Sequence, residues 1–126
     1  MVQMPDLNLV TEKIKMFMVE RDWDKYHNSK DILIALVSEI GELAECYRWL
    51  NEDQIKKINE EPEKKKKIEE EIADICIYLI ILSYENNIDL LKIIDEKIEK
   101  NKLKFPIEKF KGKHTNPIIG MKSEIK

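Results

Sequence analysis

The chain has 126 residues, 37% of them charged, and a formal net charge of only −3. That length suffices for one domain with a buried core, and the near balance of acids and bases excludes nucleic-acid binding by bulk electrostatics. Three Gly and four Pro favour long helices over a turn-rich β fold.

Pro5-Asp6 opens a first helix, expected over about Leu7 to Arg21, where Leu7, Val10, Ile14, Phe17 and Met18 recur at intervals of three and four. DWDKYHNSK, residues 22–30, breaks that period and reads as a loop. Asn28 or Ser29 can cap a second helix running to about Leu50. NEDQIKKINEEPEKKKK is a solvated connector with room for a short helix. Pro62 suits the first turn of a third helix, which ends near Glu85 before Asn86-Asn87. Asp89 caps a fourth, which stops near Phe105-Pro106. The expected domain is therefore 1–106, with 107–126 as an irregular tail. The class is all-α, a helical bundle of four main helices.

Cys46 and Cys76 fall inside apolar helical patterns and form neither a disulfide framework nor a zinc motif. They read as small buried hydrophobes in a reducing compartment. There is no signal-peptide pattern, and the longest apolar run, Ile75 to Ser83, is about half a membrane span. The expectation is a soluble, cytoplasmic protein with no membrane partner.

Two stretches place acids among apolar residues: SEIGELAECYRW (38–49) and EEEIADICIYLIIL (69–82). At roughly 100° per residue, Glu39 shares a stripe with Ile32, Ala35, Leu43, Cys46 and Leu50, and Glu42 lies about 60° away, between Ala35 and Trp49. Glu71 likewise shares a stripe with Ile75, Tyr78 and Leu82, with Asp74 about 60° away beside Ile81. Glu69 and Glu70 point elsewhere. A buried carboxylate costs several kcal/mol unless something compensates it, and four together repel. Neither inward stripe offers an Arg or Lys partner. One such pair on a charged helix is ordinarily a solvated face. Two inward-facing pairs on adjacent helices point instead to a hard divalent cation, Mg²⁺ or Mn²⁺, which carboxylate oxygens suit.

EIGELAE followed by EEIADI resembles the MazG-like all-α nucleotide pyrophosphohydrolases, whose signature is E-x-x-E, a spacer, then E-x-x-D; the spacer here is 43–70. RDWDKYH, YRW, IYL and KNKLKFP extend the resemblance, over about 7–106, toward the dCTP pyrophosphatase branch. The resemblance implies Mg²⁺-dependent hydrolysis of a nucleoside triphosphate to the monophosphate and pyrophosphate. Glu39, Glu42, Glu71 and Asp74 would hold the metal. Glu39 or Glu42 would take the water's proton, with Glu45 in reserve. Trp23 and Trp49 correspond to base-pocket positions of the family and His27 matches a loop histidine. Tyr78, one turn after Asp74 and near its face, could close on the sugar, and Lys97 and Asn101, four apart on the fourth helix, could reach the phosphates and the nucleotide together. A Trp at a helix end equally fits a core or interface, and Lys97 is one of eight lysines between 92 and 113, a pattern that also fits plain surface. Ile14 departs from the histidine that touches the base in some dCTP-preferring members, so the base is open: dCTP or a modified pyrimidine nucleotide. A dUTP-type or phosphoribosyl-ATP pyrophosphatase, or a non-catalytic metal-stabilised helical module, are the alternatives. The third helix is apolar almost all round from Ile72 to Leu82, which asks for burial on every side and hence for a homo-oligomer. The resemblance implies a homodimer or homotetramer.

Overall fold

Helix starts coincide with side chains able to cap them, as seen in a computed structural model that describes residues 4–113. Helix α1 (Leu7–Glu20) begins where the Asp6 carboxylate accepts from the Leu9 N–H at 2.8 Å. After it, Asp22 adopts a left-handed φ of 56°, and the Trp23 N–H turns back to the Met18 carbonyl at 2.9 Å. A 3₁₀ turn, Asp24–Tyr26, occupies the expected loop. Helix α2 (Ser29–Arg48) is capped by Asn28, which accepts from the Asp31 N–H at 2.9 Å. The connector holds a five-residue helix, α3 (Glu52–Lys56), closed at its start by a reciprocal Asn51–Gln54 capping box. Pro62 occupies the first turn of α4 (Pro62–Glu85), where its missing N–H costs nothing. Asn87, at φ 55°, ends α4, and the Ile88 N–H reaches the Ser83 carbonyl at 2.9 Å.

Asp89 caps α5 (Leu90–Lys104). A short helix, α6 (Ile107–Phe110), then forms inside the stretch expected to be irregular. Its Phe110 ring packs edge-on against Phe105 at 5.2 Å, a local contact that no helical period announces. The rest of the expected tail, 114–126, lies outside the described residues. Among the described residues there are six α-helices and no strand, so the chain is all-α, with four long helices as expected.

Three of the long helices lie in one compact unit, Met1–Ile88, and the fourth in a second, Asp89–Lys126. Within the first unit α4 is the central element, packed chiefly against α2 and also against α1. The buried core consists of Ile14 from α1, Ile32 and Leu36 from α2, and Ile68, Ile80 and Ile81 from α4. Ile81 is fully enclosed. The core is small for so apolar a helix: Ile72 and Leu79 are 45% and 40% exposed, so one chain does not cover α4 on every side. Leu33, Ile34, Val37 and Ile40 of α2 are exposed as well.

The cysteines depart from expectation. Both are free, Cys46 half-buried and Cys76 exposed. Cys76 sits five residues before Ile81, which places it about 140° around the helix from the core-facing side. No helix among the described residues is long and apolar enough to cross a membrane.

Truncating Ile81 should open a cavity at the α4 centre. Ile81→Ala is expected to lower unfolding free energy by about 2–5 kcal/mol, read from urea denaturation. A loss under about 1 kcal/mol would mean that Ile81 is not the core residue described.

Candidate metal centre

Packing α2 against α4 turns their acidic segments toward each other. Glu39 and Glu42, three apart on α2, meet Glu71 of α4: one carboxylate oxygen from each lies within 4.8 Å of the others. Glu71 is 3% exposed, Glu39 half-buried and Glu42 open to solvent. Glu69 and Glu70 are exposed, as their helical angles require. Asp74 is exposed and falls outside the close group, although its negative charge still acts on Glu39. Its position on α4 matches that of Glu42 on α2, but its side chain is one methylene shorter.

Glu39 is pushed up to about 7 from an ordinary 4.5. The largest cause is its hydrogen bond with Glu71, followed by burial, then by the hydrogen bond with Glu42 and the charges of Glu42 and Asp74. Crowded carboxylates share a proton rather than all ionise. Glu71 moves the other way. Its carboxyl is held below the usual range, first by a hydrogen bond from Lys67, against the opposing effect of burial.

Lys67 corrects the sequence reading, which found no basic partner on either inward stripe. It lies one turn before Glu71, and its ammonium comes to 3.1 Å from Glu71 Oε1. The side chain is 61% exposed and reaches inward only at its tip. The signal was present in the sequence: the i−4 position of Glu71, at the end of the run Lys64 to Lys67.

The ammonium does not complete the site. Glu39 Oε2 and Glu71 Oε2 are buried and receive no N–H or O–H from outside the cluster. Each such orphan costs on the order of 1–3 kcal/mol. The three close donors are all hard carboxylate oxygens, with no nitrogen or sulfur in the group. That donor set and those two orphaned oxygens fit Mg²⁺ or Mn²⁺. Beside the cluster lies a cleft of about 330 Å³ bounded by Glu42, Glu45, Cys46 and Lys67.

The other candidate residues are scattered over several elements. Trp49, at the end of α2, is 74% exposed; its indole N–H donates to Glu45 Oε1 at 3.2 Å and the Arg48 guanidinium lies over its ring at 4.7 Å. Trp23 is 49% exposed and meets Phe17 edge-on at 5.8 Å. Neither tryptophan is a core residue. Tyr78 is half-buried on α4, one turn after Asp74. His27 stands 3.8 Å from Glu85, at the far end of α4 and about 20 Å along the helix axis from Glu71. Lys97 and Asn101 lie one turn apart on α5, in the second unit. Ile14 lines an apolar cleft of about 260 Å³ with Val10, Lys13, Phe17, Met18 and Ile77.

Comparison with known proteins places these features in a context. A model of the MazG-like family matches residues 34–116. The dCTP pyrophosphatase 1 of Rattus norvegicus is 32% identical over 111 residues, which cover 86% of this chain and 65% of that protein. The dCTP pyrophosphatase 1 of Homo sapiens is 33% identical over 90 residues, covering 71% of this chain and 53% of that protein. The matches thus span 53% to 66% of the curated relatives' lengths. The crystal structure of a pyrophosphatase from Archaeoglobus fulgidus superposes with a TM-score of 0.72 at 29% identity, covering 84% of this chain and 99% of that one.

The shared proton has a consequence for the metal-free protein. Because folding raises the Glu39 value from 4.5 to about 7, the folded state binds that proton more tightly. The resulting stabilisation is complete below about pH 4.5 and is lost as pH rises through about 7. The lowered Glu71 acts oppositely, with a contribution lost on acidification. In EDTA the melting temperature should therefore fall from about pH 5 to about pH 8, and Glu39→Gln should flatten that fall. A melting temperature that rises over this interval would contradict the shared proton.

Proposed function

The chain belongs to the MazG-like family, and from that premise we propose that it is a divalent-metal-dependent hydrolase cleaving a nucleoside triphosphate to the monophosphate and pyrophosphate. The substrate we favour is dCTP or a modified pyrimidine deoxynucleotide, on the strength of the relatives named dCTP pyrophosphatase 1. The observation that carries the reading is the meeting of Glu39, Glu42 and Glu71 with two oxygens that receive no donor from outside the cluster.

When bound, Mg²⁺ or Mn²⁺ supplies charge neutralisation for the triphosphate and lowers the pKa of a coordinated water. Glu39, Glu42 and Glu71 would hold it, and Asp74 would complete the set from the neighbouring turn. Between the two α2 acids we assign proton acceptance to Glu42. It is exposed and borders the cleft where water enters, whereas one Glu39 oxygen is enclosed. Glu45 is engaged with the Trp49 indole and with Arg48 at 3.5 Å, which leaves it to orient Trp49. Exposed Trp49 and Trp23 supply flat surfaces for the base, and Tyr78 a contact for the sugar. His27, held near Glu85, positions the loop that carries Trp23. The exposed apolar residues of α2 and α4 are covered by a second copy, in a homodimer or homotetramer.

The purified protein should release pyrophosphate from dCTP with Mg²⁺ and lose that activity in EDTA; release of single orthophosphate would mean that the wrong bond was assigned. Glu71→Gln should lower kcat/KM by more than about 100-fold, while Glu70→Gln stays within about twofold. Equal losses would contradict the facing of the two residues. Trp49→Ala should raise KM by about 10-fold or more, since a base–aromatic stack contributes about 1–3 kcal/mol, and should leave kcat nearly unchanged. An unaltered KM would move the base pocket elsewhere.

A further inference from the structure

Four consecutive lysines, Lys64 to Lys67, open α4. Lys64 pairs with Glu61 at 3.6 Å, an exposed contact of small energetic consequence. Lys67 differs because its partner is buried. Its ammonium lies 3.1 Å from an oxygen of Glu71, a residue 3% exposed that faces two further carboxylates. The ammonium satisfies Glu71 Oε1 and leaves Glu71 Oε2 and Glu39 Oε2 without a donor from outside the cluster. It also forms one side of the cleft that leads to the cluster.

We propose that Lys67 is the internal counter-ion of the acid cluster in the metal-free protein, and that a divalent cation takes the site by displacing its ammonium from Glu71. The inference rests on the reading of the cluster as a metal site. The two cations are unequal competitors. A lysine ammonium is a point charge that reaches a single oxygen here. A hard divalent ion bonds directly to several oxygens at about 2.0–2.1 Å and brings twice the charge. The two cations repel across one carboxylate group, so the arrival of the divalent ion weakens the hold of the ammonium. Lys67 has little to lose by leaving, because its stem is exposed and flexible and its ammonium is readily hydrated. The arrangement keeps three facing carboxylates from driving α2 and α4 apart without metal. It also sets the affinity for metal below what the carboxylates alone would give.

The test titrates Mn²⁺ into the EDTA-stripped full chain and follows free Mn²⁺ by electron paramagnetic resonance. Lys67→Gln should bind Mn²⁺ about threefold to tenfold more tightly than the parent, and its metal-free form should melt at a lower temperature. Lys67→Arg, which keeps the charge, and Lys66→Gln, which removes an exposed one, should stay within about twofold of the parent affinity. Equal affinities for Lys67→Gln and Lys66→Gln would overturn the counter-ion role while leaving the metal site intact. Absence of Mn²⁺ binding by the parent would overturn both. If metal-free Lys67→Gln does not fold, the parent labelled with ¹³C at lysine Cε provides the second measurement. Mg²⁺ should move the Lys67 signal to the position of the solvated lysines, and a signal that stays in place would overturn the proposal.

Discussion

A carboxylate enclosed between two helices must be compensated, and Glu71 makes that demand on the whole first unit. It sits on the face of α4 that packs against α2, opposite Glu39 and Glu42. Burial of one anion costs several kcal/mol, and facing it with two more adds repulsion. Without metal the protein meets the demand twice over: Glu39 retains a proton to about pH 7, and Lys67 brings an ammonium to 3.1 Å. Both compensations are partial, since two buried oxygens receive no donor from outside the cluster. A divalent cation can replace proton and ammonium together, which is why the cluster reads as a site for one.

The scaffold serves this arrangement. α2 and α4 are the two longest helices, and each has a defined start, at Asn28 and at Pro62, so that the acids fall at fixed angular positions. Ile32 and Leu36 on α2 and Ile68, Ile80 and Ile81 on α4 flank the acids along the chain and supply apolar burial. That burial holds α2 against α4 despite the charges between them. The same helices expose Leu33, Ile34, Val37, Ile72 and Leu79.

Much of this was legible in the sequence because it depends on local chemistry and angle. The caps Asp6, Asn28 and Asp89 and the first-turn Pro62 mark the starts of all four long helices. Angular position alone separated Glu71, which is buried, from Glu69 and Glu70, which are exposed. Three things were not legible in that way. Angular position describes where a Cα–Cβ bond points, not how far a side chain reaches: the shorter Asp74 does not join the close group, whereas Lys67, about 40° from Glu71, was open to the same angular reading and was passed over as part of a charged run. Periodicity does not report a four-residue helix such as α6, which a Phe105–Phe110 contact accompanies. The apolar run around Cys76 suggested burial on all sides, whereas Cys76 lies about 140° around α4 from Ile81 and is exposed.

The most direct measurement of the central claim is anomalous diffraction from crystals of the protein soaked with Mn²⁺. The account predicts a strong peak within bonding distance of the Glu39, Glu42 and Glu71 carboxylates, with the Lys67 ammonium withdrawn from Glu71. A map with no peak between α2 and α4, and with Lys67 still on Glu71, would contradict it.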